Sequence, residues 1–206
     1  DPIYTVPFLL LVILASRFAR TAKARRIFNW AGIALSSVYM MITFYHKAKV
    51  DAVFEQSLRA DSIHYSRYLT SPTIFNNILW QGIAESDHHY HYGMYSLMDA
   101  RAVVDSFVQI PKNHDWIEPW KDDRAIRILT WFSDDYYHIL RRADGRLQFN
   151  DLRFGSLSGE FVDEKDLVFG FILEEKEGKL MVSSSNDRPP DAGDSFRRLW
   201  LRMMGK

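Results

Sequence analysis

The densest run of titratable side chains is Asp87-His88-His89-Tyr90-His91. Alternate side chains of a strand share a face, so Asp87, His89 and His91 would project together. Two imidazoles with a carboxylate suit zinc or another divalent ion. The competing reading is an exposed hairpin end that is merely rich in histidine, because a metal needs further ligands converging from elsewhere. Asp134 and His138 stand four apart, and Asp135 and His138 three apart, in a segment of helical period. A hydrogen bond along the helix face is a simpler role for them than a shared metal. Asp151 and Arg153, two apart on a strand, would form a structural ion pair or orient a ligand. Gly155-Ser156-Leu157-Ser158-Gly159 has the glycine spacing of a nucleophile elbow, but Leu157 stands where the serine is required. The chain has no cysteine, which removes disulfides, thiolate nucleophiles, Fe–S clusters and Cys-ligated zinc. It also has no Walker loop, GxGxxG or HExxH. Chemistry in this chain falls to His, Asp and Glu.

The elements that must position these groups lie in 50–206. Residues 50–68 read as a helix or a short linker, ended by Ser71-Pro72 because the residue before proline is pushed out of the helical region. Segments 78–84 and 90–97 are rich in aromatic and aliphatic residues around a polar 85–89, a β-hairpin pattern. Segment 103–110 is a third extended stretch. Apolar residues at spacings of three and four predict an amphipathic helix over 122–141, opened by acids and closed by Arg141 and Arg142. In 147–154 the pairs Leu147/Phe149 and Leu152/Phe154 fall on opposite faces, which a bulge near Asn150-Asp151 would correct. Segments 167–173 and 179–183 form a second hairpin around Glu177-Gly178, and 196–204 a terminal amphipathic helix. Strands and a central helix without βαβ regularity predict an α+β fold with an antiparallel sheet. The aromatic side chains of this region would line a carbohydrate or lipid pocket or, more simply, pack the core.

A net charge of zero conceals two opposite regions. Residues 1–49 carry seven basic groups against Asp1 alone, a net +6, and 50–206 carry the balancing −6. Segment 27–45 is 19 residues without a formal charge, extended by His46 and bracketed by Arg25-Arg26 and Lys47. A helix crossing the ~30 Å hydrocarbon core needs about 20 such residues. Segment 2–16 is 15 uncharged residues, short for a full span. The expectation is therefore a membrane region over 1–49, with helices at about 2–16 and 27–46, and an extramembrane domain over 50–206. Segment 17–26, with five basic residues and no acid, would stay cytoplasmic, placing 50–206 on the periplasmic or extracytoplasmic side. The lipid bilayer is then a partner. Balanced charge argues against nucleic acid as one. The sequence opens on Asp1 rather than Met, which reads as a fragment preceded by further helices.

Specific strings add to this. They are Asp1-Pro2-Ile3-Tyr4-Thr5-Val6-Pro7, Pro72-Thr73 with Asn76-Asn77-Ile78-Leu79-Trp80, and Tyr95-Ser96-Leu97 with Asp99. Further on come Trp131-Phe132-Ser133-Asp134 with Tyr136-Tyr137, and Asp151-Leu152-Arg153-Phe154-Gly155. In order and spacing this set resembles the C-terminal two-thirds of the bacterial membrane-bound metal-dependent hydrolases, the group that includes the LexA-binding inner-membrane hydrolase. The resemblance implies a multi-pass protein of the bacterial inner membrane that uses a divalent metal. Its His and Asp catalytic residues would belong to transmembrane helices upstream of Asp1, with which this chain would pack. No catalytic residue carries over onto the present sequence. The matching residues, Trp80, Tyr95, Ser96, Asp99, Trp131, Phe132, Asp151, Arg153, Phe154 and Gly155, suit a packed sheet with sharp turns. The alternative function is a non-catalytic, membrane-anchored binding or sensing domain.

Overall fold

The computed structural model describes residues 1–156, 167–176, 178–185 and 192–206. Helix α1 (Pro2–Ser16) is capped by the Asp1 carboxylate, which accepts from the Ile3 amide at 2.9 Å. It lies along α2 (Lys23–Ala60), where Gly32 admits the side chains of Phe8 and Leu11. The 38 residues of α2 extend about 57 Å. This helix is long and apolar enough to cross a membrane, whereas α1 has 15 residues.

Past Lys49 the same helix changes character. Val50, Val53, Phe54, Ser57 and Leu58 are buried at spacings of three and four, the stripe that docks a helix on a core. The segment at 50–68 is thus helical as far as Ala60, after which Ser62 turns the chain at φ 56°.

Four antiparallel strands follow: β1 (Arg67–Pro72), β2 (Leu79–Glu85), β3 (His89–Ser96) and β4 (Val108–Pro111), in spatial order 1-2-3-4. Ser71-Pro72 does not end a helix but closes edge strand β1, a place where the missing amide of proline is tolerated. One face of this sheet, with Trp80, Ala84 and Tyr95, packs on Val50, Val53, Phe54 and Leu58 of α2. The hairpin expected over 78–97 is present, with Glu85 paired to Tyr90 beside the turn.

A 3-10 helix (His114–Trp120) leads to α3 (Arg124–Phe132), capped by Asp123. The long helix expected over 122–141 is corrected here. Asp134 and Asp135 adopt left-handed φ values of 50° and 61°, and the chain leaves as strand β5 (Tyr137–Arg141). Ile126 and Leu129 pack on Tyr137 and Ile139, so one apolar pattern serves a helix and then a strand.

Strands β5, β6 (Leu147–Asp151), β7 (Gly170–Lys176) and β8 (Lys179–Ser184) form a second antiparallel sheet in that order. The bulge expected at Asn150-Asp151 is replaced by a 3-10 turn (Leu152–Phe154) that follows β6 and carries Leu152 out of the strand register. Leu152 and Tyr136 join Ile83, Tyr90, Tyr92 and Ile110 of the first sheet in a shared core. The β7–β8 hairpin turns beside Gly178 at φ 72°. Helix α4 (Ala192–Met203) closes the chain. The fold is α+β, with two four-stranded antiparallel sheets and a long apolar helix near the N-terminus.

Candidate functional site

Strand β3 begins at His89, so Asp87 and His88 sit in the turn before it. These two and His89 are exposed beside His64 and Tyr65. His91 shares a face with His89 but is buried against the α2 side of the sheet, and its Nδ1 finds no hydrogen-bond partner. Burial, with the charge of His89, lowers its pKa. Among the described residues no three His, Asp or Glu side chains converge as a ligand set.

The sequence signalled less of the charged rim nearby. Glu85 receives Arg67 Nε at 2.5 Å and Lys112 Nζ at 2.7 Å. Burial alone would raise the Glu85 pKa, but the hydrogen bonds and charges of Lys112 and Arg67 hold it below the usual carboxylate range. The Arg67 guanidinium lies 4.1 Å over the Tyr136 ring, and Tyr90 Oη donates to the Asp135 carbonyl at 2.5 Å. His114 stacks on Tyr137 at 4.0 Å and donates through Nε2 to the Tyr137 carbonyl. Asn113 donates to the Ile139 carbonyl at 2.9 Å, and the Ile139 amide donates to the Lys112 carbonyl at 3.0 Å. These contacts stitch the edge of the first sheet to the second.

The second stitch is the turn 151–155. Asp151 is fully buried and caps the turn by accepting from the Arg153 amide at 3.0 Å. Arg153 returns Nη2 to the Asp151 carboxylate at 2.7 Å and also donates to the Phe132 carbonyl at the end of α3. The hydrogen bond to the Asp151 carboxylate, with the charge of that group, keeps the Arg153 pKa raised. Gln81 of the first sheet donates to the Arg153 carbonyl at 2.8 Å and lies against Gly155, whose φ of 73° and lack of a side chain admit it. The Asp151–Arg153 pair expected from sequence thus locks a turn between the sheets.

The remaining motif residues also hold elements together. Trp80 and Tyr95 lie in the α2 core. Ser96 and Asp99 grip the end of α4, through Ser96 Oγ to the Met203 carbonyl at 2.5 Å and Asp99 to Arg202 at 2.7 Å. Phe132 stacks with Phe154, while Trp131 is exposed. Asp134 and His138 do not share a helix face: Asp134 sits in the left-handed turn, 3.9 Å from Arg67, and His138 is buried in β5.

His138 belongs to a row that sequence reasoning missed. Asn150 Nδ2 lies 3.2 Å from His138 Nε2, Gln148 Nε2 donates to Asn150 Oδ1 at 2.7 Å, and Arg142 donates to Gln148. All four are buried. Burial and the charge of His114 push the His138 pKa down to about 4, so its imidazole is neutral. Residues 157–159 of the serine-glycine string lie outside the described residues.

A groove of about 410 Å³ opens between β3, the approach to β4, and α4. Met94, Val108, Leu199 and Leu201 give it apolar walls, and Arg198, Arg202 and Lys206 a cationic rim opposed by Asp105. That combination suits an elongated ligand with an apolar body and an anionic end. No protein-family model, curated protein or solved structure matches the chain.

Proposed function

We propose that this chain is a membrane-anchored binding domain. In this reading α2 crosses the bacterial inner membrane with 27–46, and the α+β domain uses the groove beside α4 as its ligand surface. The observation that carries it is the continuity of α2, one helix that runs without a break from its apolar stretch past Lys47 and Lys49 to the buried Val50, Val53, Phe54 and Leu58. A module tethered by a flexible linker would not tie the domain to the lipid-facing helix in this way. The basic 17–26 segment supports a cytoplasmic loop and an extracytoplasmic domain. Alkaline phosphatase fused after Lys206 should be active in bacterial cells, and the chain should stay with membranes in alkaline carbonate. An inactive fusion would reverse the orientation, and release into the supernatant would end the anchoring proposal.

The ordered strings from Asp1 to Gly155 favour a second reading, in which the domain serves a metal-dependent hydrolase-like membrane protein by selecting substrate. The coding sequence upstream of Asp1 distinguishes the two. Further apolar helices carrying His and Asp clusters support the hydrolase reading, and an upstream stop codon or an unrelated soluble domain supports the binding one.

A further inference from the structure

The loop between β1 and β2 (73–78) is fixed to the last turn of the apolar stretch of α2. Asn77 Nδ2 donates to Thr43 Oγ1 at 2.9 Å, and His46 Nδ1 donates to the Asn77 carbonyl at 3.1 Å. Thr43 and His46 are one helical turn apart, about 4.5 Å along the axis. Wherever that turn lies in a membrane, the loop lies too.

The loop presents apolar side chains outward. Ile74 is 40% and Phe75 68% exposed. Phe75 takes a φ of 63°, a left-handed conformation that strains a non-glycine residue. Asn76 holds the tip in this shape: its Nδ2 donates to Thr73 Oγ1 at 2.8 Å, and its Oδ1 accepts from the Ile78 and Leu79 amides at 2.9 and 2.7 Å. A rigid, strained tip with its phenyl ring turned away from the core contributes little to the fold.

A second apolar projection shares this end of the sheet. Leu79 pairs with Ser96, and the Leu97 amide donates to the Ile78 carbonyl at 2.9 Å, which sets the turn after β3 beside the loop. Met98 in that turn is 55% exposed. The grip of Ser96 on Met203 and of Asp99 on Arg202 brings the last turn of α4 to the same place. There Trp200 and Met204, 61% and 45% exposed, point outward beside the cationic Arg197 and Lys206. Indole rings, apolar side chains and interspersed basic groups are the composition that settles at the headgroup level of a bilayer.

We propose that this end of the domain is embedded in the interfacial layer of the bilayer that α2 crosses, through Ile74-Phe75 on one side and Met98, Trp200 and Met204 on the other. The inference rests on reading 27–46 as a span. The domain would thereby lie on the membrane rather than stand clear of it, with the mouth of the groove beside α4 close to lipid.

The absence of cysteine permits a direct test. Single nitroxide labels at Phe75→Cys and Met204→Cys are compared with His88→Cys, in the turn at the opposite end of the sheet, and with Leu35→Cys in the span. The full chain is reconstituted in vesicles of phosphatidylcholine and phosphatidylglycerol, and accessibility to oxygen and to a water-soluble nickel chelate is read by electron paramagnetic resonance. Positions 75 and 204 should show a several-fold loss of nickel accessibility relative to 88 while remaining open to oxygen. Nickel accessibility equal to that of position 88 at either site overturns the proposal. So does shielding from both reagents, which would mean that a second copy or another protein covers the surface. Water-like accessibility at position 35 would instead overturn the span itself.

Discussion

Gly82 has no room for a side chain. A Cβ there would fall within the Phe54 ring, which is fully buried against β2. Gly82→Ala must displace that ring or the strand, and overpacking of this kind costs about 1–3 kcal/mol. Thermal unfolding followed by circular dichroism should register the loss, and an unchanged midpoint would show that α2 does not bear on the sheet as described. His138 acts through protonation instead. Its folded pKa of about 4 lies below the ordinary 6.5, so between these values the unfolded chain takes up a proton that the native chain refuses. Stability should therefore be fully present above pH 6.5, fall as the pH drops toward 4, and lose no more from this group below that. Burial lowers His91 and His114 as well, which adds to the same slope. His138→Gln should flatten part of the fall in denaturation midpoint between pH 7 and 4.5. A variant as acid-sensitive as the parent would remove His138 from the account.

The joint made by Asp151 and Arg153 shows what an element owes to two residues. Arg153 neutralises a fully buried carboxylate and caps the end of α3. Arg153→Ala would leave Asp151 buried without its cation, a loss of about 3–5 kcal/mol for a broken buried pair. The variant should unfold at markedly lower urea concentration, whereas the double variant Asp151→Asn, Arg153→Ala should recover part of the loss because no charge is left stranded. The same joint shows what was legible in the sequence. The β2–β3 hairpin was readable because aromatic and aliphatic residues flank a short polar turn. The α3–β5 boundary was not. Ile126, Leu129, Phe132, Tyr136 and Ile139 keep a helical spacing across it, and only the left-handed Asp134 and Asp135 break the helix. Asp151 and Arg153 were readable as a pair because they are local. Their link to Gln81 was not, since it joins residues 72 apart in the chain. Gln148 and Asn150 alternate with Phe149 as solvent-facing residues would, yet they are buried, and no local pattern distinguishes the two cases.

At the scale of the whole molecule, the opposite charges of 1–49 and 50–206 mark two regions that a single helix nevertheless joins. Three layers follow from α2 outward: the helix, the first sheet, and the second sheet attached through Leu152 and Tyr136. Among the described residues, Ile83, Tyr90, Tyr92 and Ile110 of the first sheet share one core with those two residues. Cooperative units of opening are contiguous and often coincide with supersecondary motifs, and the shared core is what links the two sheets into one such unit. Amides of β2 and β6 should therefore exchange with deuterium through the same opening, with protection that falls together as denaturant is added. Leu152→Ala removes a fully buried side chain from the shared core, a change that typically costs 2–5 kcal/mol. In hydrogen-exchange mass spectrometry of the detergent-solubilised chain, that variant should weaken protection in both sheets by the same free energy. Loss confined to β6, with β2 retaining its parental protection, would show that the sheets open separately and that α2 positions only the first of them.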